Sequence, residues 1–494
     1  MEKNGINGIG KDVSSQLLKT SQGSRKISRV SQKLVPATSL WFSKRLLVAI
    51  VLFMCFVNFQ VLRNNMNITV VEMTKNKTHK EGNITITQPP EFNWDTKTIG
   101  FVLSILSYGG LLSFLGTFPV NWFGGSVTCS VCMLVSGILT ILHPAILYID
   151  FQLFLACRIL TGVFENFFYI STTEIFSRWI PKEERSTLIS FSFNGTNVGL
   201  ALTYPMCGYL AHIWGWQMVF YVTGIISVVV AVICMITVKN KPSQDTWISR
   251  NERLYILQET DHEARMESKS HPYKSILLST PVWALCINIF TFIWVASILG
   301  TCLPLYIQDS TGKETDEIGL ISCIPNAVYI FMFPICGMFM DYWKNNSGVT
   351  LTRIHKTLIS TAFIVASVLF VGAAFITDFT TTLTFFISIQ IIMAFVPLIL
   401  QIVSVALAPD HSSVIAGMTT FSFSASSIIS QTVTGFMIKN HTAQEWNYCF
   451  YLAAAMSVLG AVVFLLYGSS EPQLWSSLAF VEEDYYLNEL DEKK

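Results

Sequence analysis

"ACRILTGVFENFF", residues 156–168, sets Arg158 and Glu165 seven positions apart in a stretch that carries no other charge. Followed outward, the stretch belongs to an apolar run over 149–173, long enough for a helix to cross the hydrocarbon core of a bilayer. The pattern recurs along the whole chain. Of its 494 residues 51% are hydrophobic, 36 are phenylalanine and only 13% are charged, about half the charge of a soluble domain. Apolar runs cover 46–65, 98–120, 124–143, 149–173, 186–210 and 216–238, then 281–307, 317–340, 357–377, 380–405, 412–438 and 447–468. Twelve spans in two sets of six predict an all-α membrane protein built as two six-helix bundles, 46–238 and 281–468.

The polar segments between the runs fix the expected topology. Residues 1–45 read as a disordered cytoplasmic tail, 239–280 as a cytoplasmic linker of mixed charge and 469–494 as an acidic cytoplasmic tail. With both termini inside, 24 of the 32 lysines and arginines fall on the cytoplasmic side and seven on the other, with Arg158 alone inside a span. That asymmetry obeys the positive-inside rule. The outer loop 66–95 carries the acceptor triplets of Asn67, Asn76 and Asn83, consistent with glycosylation on the lumenal face.

Five short elements narrow the reading: "WDTKTIG" at 94–100, "RWIPKEERS" at 178–186, "GWQMVFYVTG" at 215–224, "LPLY" at 303–306 and "EWNYCFYLAA" at 445–454. In register from about Arg63 to Trp475, the chain resembles solute carrier family 17, which contains sialin, the vesicular glutamate transporters and sodium-phosphate cotransporter-like proteins. "GMFMD" at 337–341 also resembles the GxxxD element that major facilitator transporters place after helices two and eight. Its first-half counterpart "GTFPVNWFGG" keeps Gly116 but has Val120 or Asn121 in place of the acid.

The resemblance implies the major facilitator fold and transport of an organic anion or phosphate, driven by protons, sodium or membrane potential. It implies substrate-binding and coupling roles for Arg63, Arg158 and Glu165. The chain also departs from the family pattern. Asn166 and Ile170 follow Glu165, Thr173 and Glu174 stand near the usual histidine, and Leu115-Gly116-Thr117 replaces a proline-glycine-glycine. Helix eleven has Thr420, Ser424, Ser426 and Gln431 in place of the usual asparagines and prolines.

Physical reasoning on the opening stretch reaches the same residues. A charge at the centre of a membrane helix costs roughly 2.5–3.5 kcal/mol on insertion scales, so it should face protein or water. Seven residues are about two turns, which puts both groups on one face about 10.5 Å apart along the axis. That is too far for an intrahelical pair, so each is expected to meet another element. Arg63, towards the outer end of span one, would join Arg158 in a positive vestibule, since guanidinium forks match carboxylate and phosphate. Glu165 would take up and release the coupling proton, with Glu174 as a second acid nearer the cytoplasm. The alternatives are that Arg158 and Glu165 only lock the bundle and that Arg63 snorkels to the interface.

On span five, Asn194 and Asn197 are candidate substrate contacts, while Gly195 and Gly199 form a packing GxxxG. Glu184, Arg185, Asp341 and Asp410 are candidate inner-gate residues, with a contact across the two halves that involves Asp410 as one option. Cys129 and Cys132 have CxxC spacing inside an apolar run and read as packing. No metal, cofactor, enzymatic activity or nucleic-acid partner is expected, and a co-transported H+ or Na+ is. The expected protein is a monomer that contacts lipid and a small anionic solute in a plasma, lysosomal or vesicular membrane. A solute sensor without transport on the same scaffold is the competing expectation.

Overall fold

A computed structural model describes residues 40, 43–74, 77–81, 84–94, 96–260, 273–303, 306–307, 309, 315–376, 378–438, 442–473 and 475. The first bundle consists of α1 (Lys44–Thr74), α2 (Thr98–Phe123), α3 (Gly125–Ile149), α4 (Phe151–Trp179), α5 (Arg185–Phe193, resuming as Gly195–Trp214) and α6 (Trp216–Thr237). The second consists of α7 (Thr280–Gly300), α8 (Thr315–Ser347), α9 (Leu351–Phe375), α10 (Phe379–Ala406), α11 (Ser412–Met437) and α12 (Ala443–Tyr467). Among the described residues ten of these helices are long and apolar enough to cross a bilayer, all but α5 and α8. Polar residues from Asn194 to Tyr204 dilute α5, which breaks briefly at Asn194.

Glycines set the boundaries and the close contacts. Gly124 (φ +87°) separates α2 from α3, and Gly215 (φ +89°) separates α5 from α6; both angles disfavour any side chain. A Cβ on Gly195 or Gly199 would run into the carbonyls of Phe53 and Val57, so the GxxxG face lets α5 lie directly on α1. A Cβ on Gly110, where α2 tightens to 3-10 geometry over Gly110–Gly116, would collide with Ser424 of α11.

Three sequence expectations change. Helix α1 continues past 65 to Thr74, so Asn67 lies on a helix rather than in a loop. The polar residues there bond back to their own turn: Asn64 donates to the Gln60 carbonyl (2.9 Å) and Thr69 to the Asn65 carbonyl (3.0 Å). The same stretch buries Met66, Val70 and Met73 in a cluster with Trp216 and Phe220. Asn76 and Asn83 lie outside the described residues. An antiparallel hairpin, β1 (Lys77–Glu81) and β2 (Ile84–Gln88), adds two strands to the helices of the described residues.

The third change concerns the linker. Instead of a solvated connector, its helix Arg250–Thr260 docks on the start of α1. Glu252 accepts from the backbone N–H groups of Lys44 (3.1 Å) and Arg45 (3.0 Å), which have no partner within α1. Lys44 pairs with Asp245 at 3.0 Å, and Arg45, fully buried, lies over the Tyr255 ring. Mixed charge that looks solvated in sequence is here a cap for a helix terminus.

Candidate functional site

The two bundles meet along α2 and α11, α5 and α8, and α4 with α10 and α11. On the half nearer the connector they are sewn together by polar contacts. Asp341 of α8 accepts from Ser186 N (3.3 Å), Thr187 N (2.7 Å) and Thr187 Oγ1 (2.7 Å), which places a carboxylate on the positive end of α5. Gly337, one turn earlier, leaves the room for this approach, since a Cβ there would strike Ser190. In the pseudo-equivalent position Ser413, at the start of α11, donates to Asn121 Oδ1 of α2 (3.0 Å), a neutral version of the same contact.

Further contacts line the seam. Ser412 donates to Glu174 (2.7 Å), Tyr169 donates to Gln401 (2.9 Å), Gln401 donates to Thr173 (3.1 Å), and Ser113 donates to the Gly417 carbonyl (3.1 Å). Asn194 donates to the Ile330 carbonyl of α8 (2.9 Å) and accepts from Asn197 (3.1 Å). On the far half, a cleft of about 200 Å³ opens between α2 and α11, walled by Ser104, Ser107 and Tyr108 on one side and Ser427, Gln431 and Thr432 on the other. Among the described residues, the polar contacts between the bundles lie on the connector half and this cleft on the other.

One wall residue of that cleft, Ser107, contacts Arg63, which in turn reaches a charge of the opening stretch. Arg63 Nη1 is 3.7 Å from Glu165 Oε2, too long for a hydrogen bond but well within an ion pair. The other end of the Arg63 guanidinium donates to Ser107 Oγ (3.4 Å), and its face lies 5.7 Å from the centre of the Phe423 ring of α11. Arg63 thus touches both bundles and the wall of the cleft. Glu165 (2% exposed) has no hydrogen bond to either carboxylate oxygen, and Arg158 (1% exposed) has none to Nε. Buried charges with unfilled hydrogen-bonding capacity are expensive unless something binds to them. Arg158 and Glu165 share one face of α4, as the spacing requires, and Glu165 meets Arg63 rather than Arg158.

The structure separates the remaining sequence candidates by place. Glu174 pairs with Arg178 one turn on (2.7 Å) and holds Ser412, a seam contact on the connector half. Asn194 and Asn197 are occupied with each other and with α8. Glu184 bonds to Arg45 of its own bundle (2.7 Å) rather than reaching across the halves. Burial raises the Glu184 carboxyl above the usual range, and the nearby Arg45 guanidinium opposes that shift. Arg185 is buried at the start of α5, while the Asp410 side chain lies outside what is described.

Sequence reasoning missed His143 of α3. It is 1% exposed, edge-on to Phe154 (5.5 Å) and Phe220 (5.7 Å), and neither ring nitrogen has a partner. Phe154 stands one turn before Arg158 on α4, so this imidazole borders the arginine's turn. No histidine clustering announces it; only the α3–α4 packing does.

Residues 48–431 match the Major Facilitator Superfamily. The chain is 24% identical over 495 residues to a zebrafish (Danio rerio) protein named vesicular glutamate transporter 2.2, a match that spans 97% of this chain and 84% of that protein. It is 25% identical over 473 residues to human (Homo sapiens) vesicular glutamate transporter 2, spanning 93% and 81%. Among solved structures it is similar to the proton:xylose symporter XylE bound to 6-bromo-6-deoxy-D-glucose, with a TM-score of 0.64 and 14% identity over 86% of this chain and 95% of that one. A double-tryptophan XylE mutant gives a TM-score of 0.66 at 15% identity over 88% and 98%. At that identity the structural likeness speaks to the fold alone. The matched span, the two bundles and the polar seam between them lead to one conclusion: this multi-pass membrane protein belongs to the Major Facilitator Superfamily and is a transporter, not an enzyme.

Proposed function

We propose that the protein is a secondary active carrier of small organic anions or inorganic phosphate, coupled to protons or sodium, that works by alternating access. The single observation that carries this reading is the ion pair of Arg63 and the buried Glu165, with Arg63 also bonded to Ser107 of the cleft wall and Arg158 buried and incompletely bonded on the same face of α4. Guanidiniums held in a low-dielectric site attract carboxylate or phosphate strongly. The relatives named as vesicular glutamate transporters support an anionic cargo.

In the proposed cycle the anion enters through the cleft and engages Arg63 and Arg158. Arg63 then exchanges Glu165 for the cargo, and Glu165 takes a proton so that no unpaired negative charge stays behind. Release of the seam contacts at Asp341, Glu174 and Asn121 lets the bundles rock, and the cargo leaves on the connector side. On this reading the connector and both termini are cytoplasmic, the membrane is plasma, lysosomal or vesicular, and the working unit is a monomer in lipid.

The test is flux in liposomes reconstituted with purified protein. Radiolabelled phosphate, sialate, glutamate and urate are offered under imposed pH and sodium gradients. Saturable, gradient-driven uptake of at least one is expected. Saturable binding without flux would instead assign the scaffold to solute sensing.

A further inference from the structure

Three cysteines far apart in sequence converge inside the first bundle. Cys55 of α1, Cys129 of α3 and Cys234 of α6 are all fully buried, and their sulfurs lie within 4.8 Å of one another. The Cys129 and Cys234 sulfurs are 3.9 Å apart. Bonds from a metal to thiolate sulfur are about 2.3 Å long, so three sulfurs around one ion in a plane stand about 4 Å apart. The observed spacing therefore needs little adjustment to hold an ion. Cys132, three residues after Cys129, is not part of the group. The CxxC spacing thus points at the wrong partner.

The donor set selects the ion. Among the described residues no carboxylate or imidazole joins the three sulfurs, and soft donors alone favour Cu(I) over oxygen-seeking cations. Zinc takes four ligands in structural sites. The surroundings, including Leu52 and Met133, are apolar and buried.

Cys129 is the fifth residue of α3, and Cys234 lies three residues before the end of α6. Both are therefore within about 6 Å, along the helix axis, of the end that carries the connector. There Asn240 already ties the two helices, accepting from Ser126 N (2.9 Å) and donating to the Phe123 carbonyl (2.9 Å).

We propose that Cys55, Cys129 and Cys234 form a site for one Cu(I) ion that fastens α1, α3 and α6 together at the connector end of the first bundle. On binding, three copper–sulfur bonds form and the three thiol protons they displace leave to solvent, while copper stays Cu(I), so no redox partner is needed. The site is separate from the cleft and independent of which solute is carried.

The experiment titrates the purified full chain in detergent with Cu(I), without oxygen, against a chromophoric Cu(I) chelator, and records X-ray absorption at the copper edge. One equivalent retained per chain with three sulfur neighbours is expected. Cys129→Ser and Cys234→Ser should each weaken retention by more than the roughly 10- to 100-fold that loss of an outer-shell partner costs. Cys336→Ser, in the second bundle, should leave it unchanged. Failure to retain one equivalent, retention that survives both substitutions, or two or fewer sulfur neighbours in the unmodified chain each overturns the site. The last readout needs no variant, so misfolding of a substituted chain does not shield the proposal.

Discussion

In the proposed cycle Glu165 is the residue on which coupling turns. It is buried on α4, 3.7 Å from Arg63, with no hydrogen bond to either carboxylate oxygen, so its charge is held by one long ion pair. Glu165→Gln keeps the shape and removes the proton site. Uptake by reconstituted protein is expected to lose its dependence on external pH while some exchange of labelled for unlabelled solute remains. An unchanged pH profile would remove Glu165 as the proton carrier. The three charges of the proposed site stood out in sequence because an ionised group in an apolar run of this length is rare and must have a reason to be there. His143 was not legible, because its place beside the turn of Arg158 is decided by how α3 packs on α4.

At the scale of elements, closure depends on helix ends held by side chains from elsewhere. Asp341 stabilises the start of α5 with a full charge, whereas Asn121 serves the start of α11 without one. Hydrogen bonds to charged groups contribute roughly 1.5–3 kcal/mol against about 1 for neutral ones. Asp341→Asn should therefore favour the state open to the connector by roughly tenfold. Spin-label distances between the connector ends of α5 and α8 would report this as a longer population, and an unchanged distribution would contradict it. GMFMD could be read as a gate element, but its partners Ser186 and Thr187 could not, since backbone N–H groups leave no mark in sequence.

Glu184 offers a second measurement at this scale. Burial raises its pKa, so the folded chain holds that proton more tightly than the unfolded chain does. The linked stability is full below the ordinary carboxylate value and is lost as pH rises through the raised one. Thermal denaturation midpoints are expected to fall across that window, and Glu184→Gln should remove this part of the fall. An identical pH profile in the variant would mean that Glu184 titrates normally. Nothing in "PKEERS" foretold its pairing with Arg45, because the two are 139 positions apart and meet only once the bundle has formed.

For the whole molecule, the apolar runs and their grouping into two sixes were enough to read the architecture, since a bilayer admits few alternatives to helices that satisfy their own backbone. The run lengths did not reveal that α1 extends to Thr74 or that the linker helix caps it. Both depend on polar groups finding partners within the fold. Nor did sequence reveal where the polar contacts between the bundles lie, because that is a property of the seam. The proposed cycle requires that the charges on α4 and α1 line a route for an anion between the bundles. Its most direct test is uptake of the transported anion by liposomes that hold equal amounts of folded wild-type or Arg158→Gln protein. Saturable, gradient-driven uptake is expected for the wild type and none above protein-free liposomes for the variant. Equal uptake by the two would contradict it.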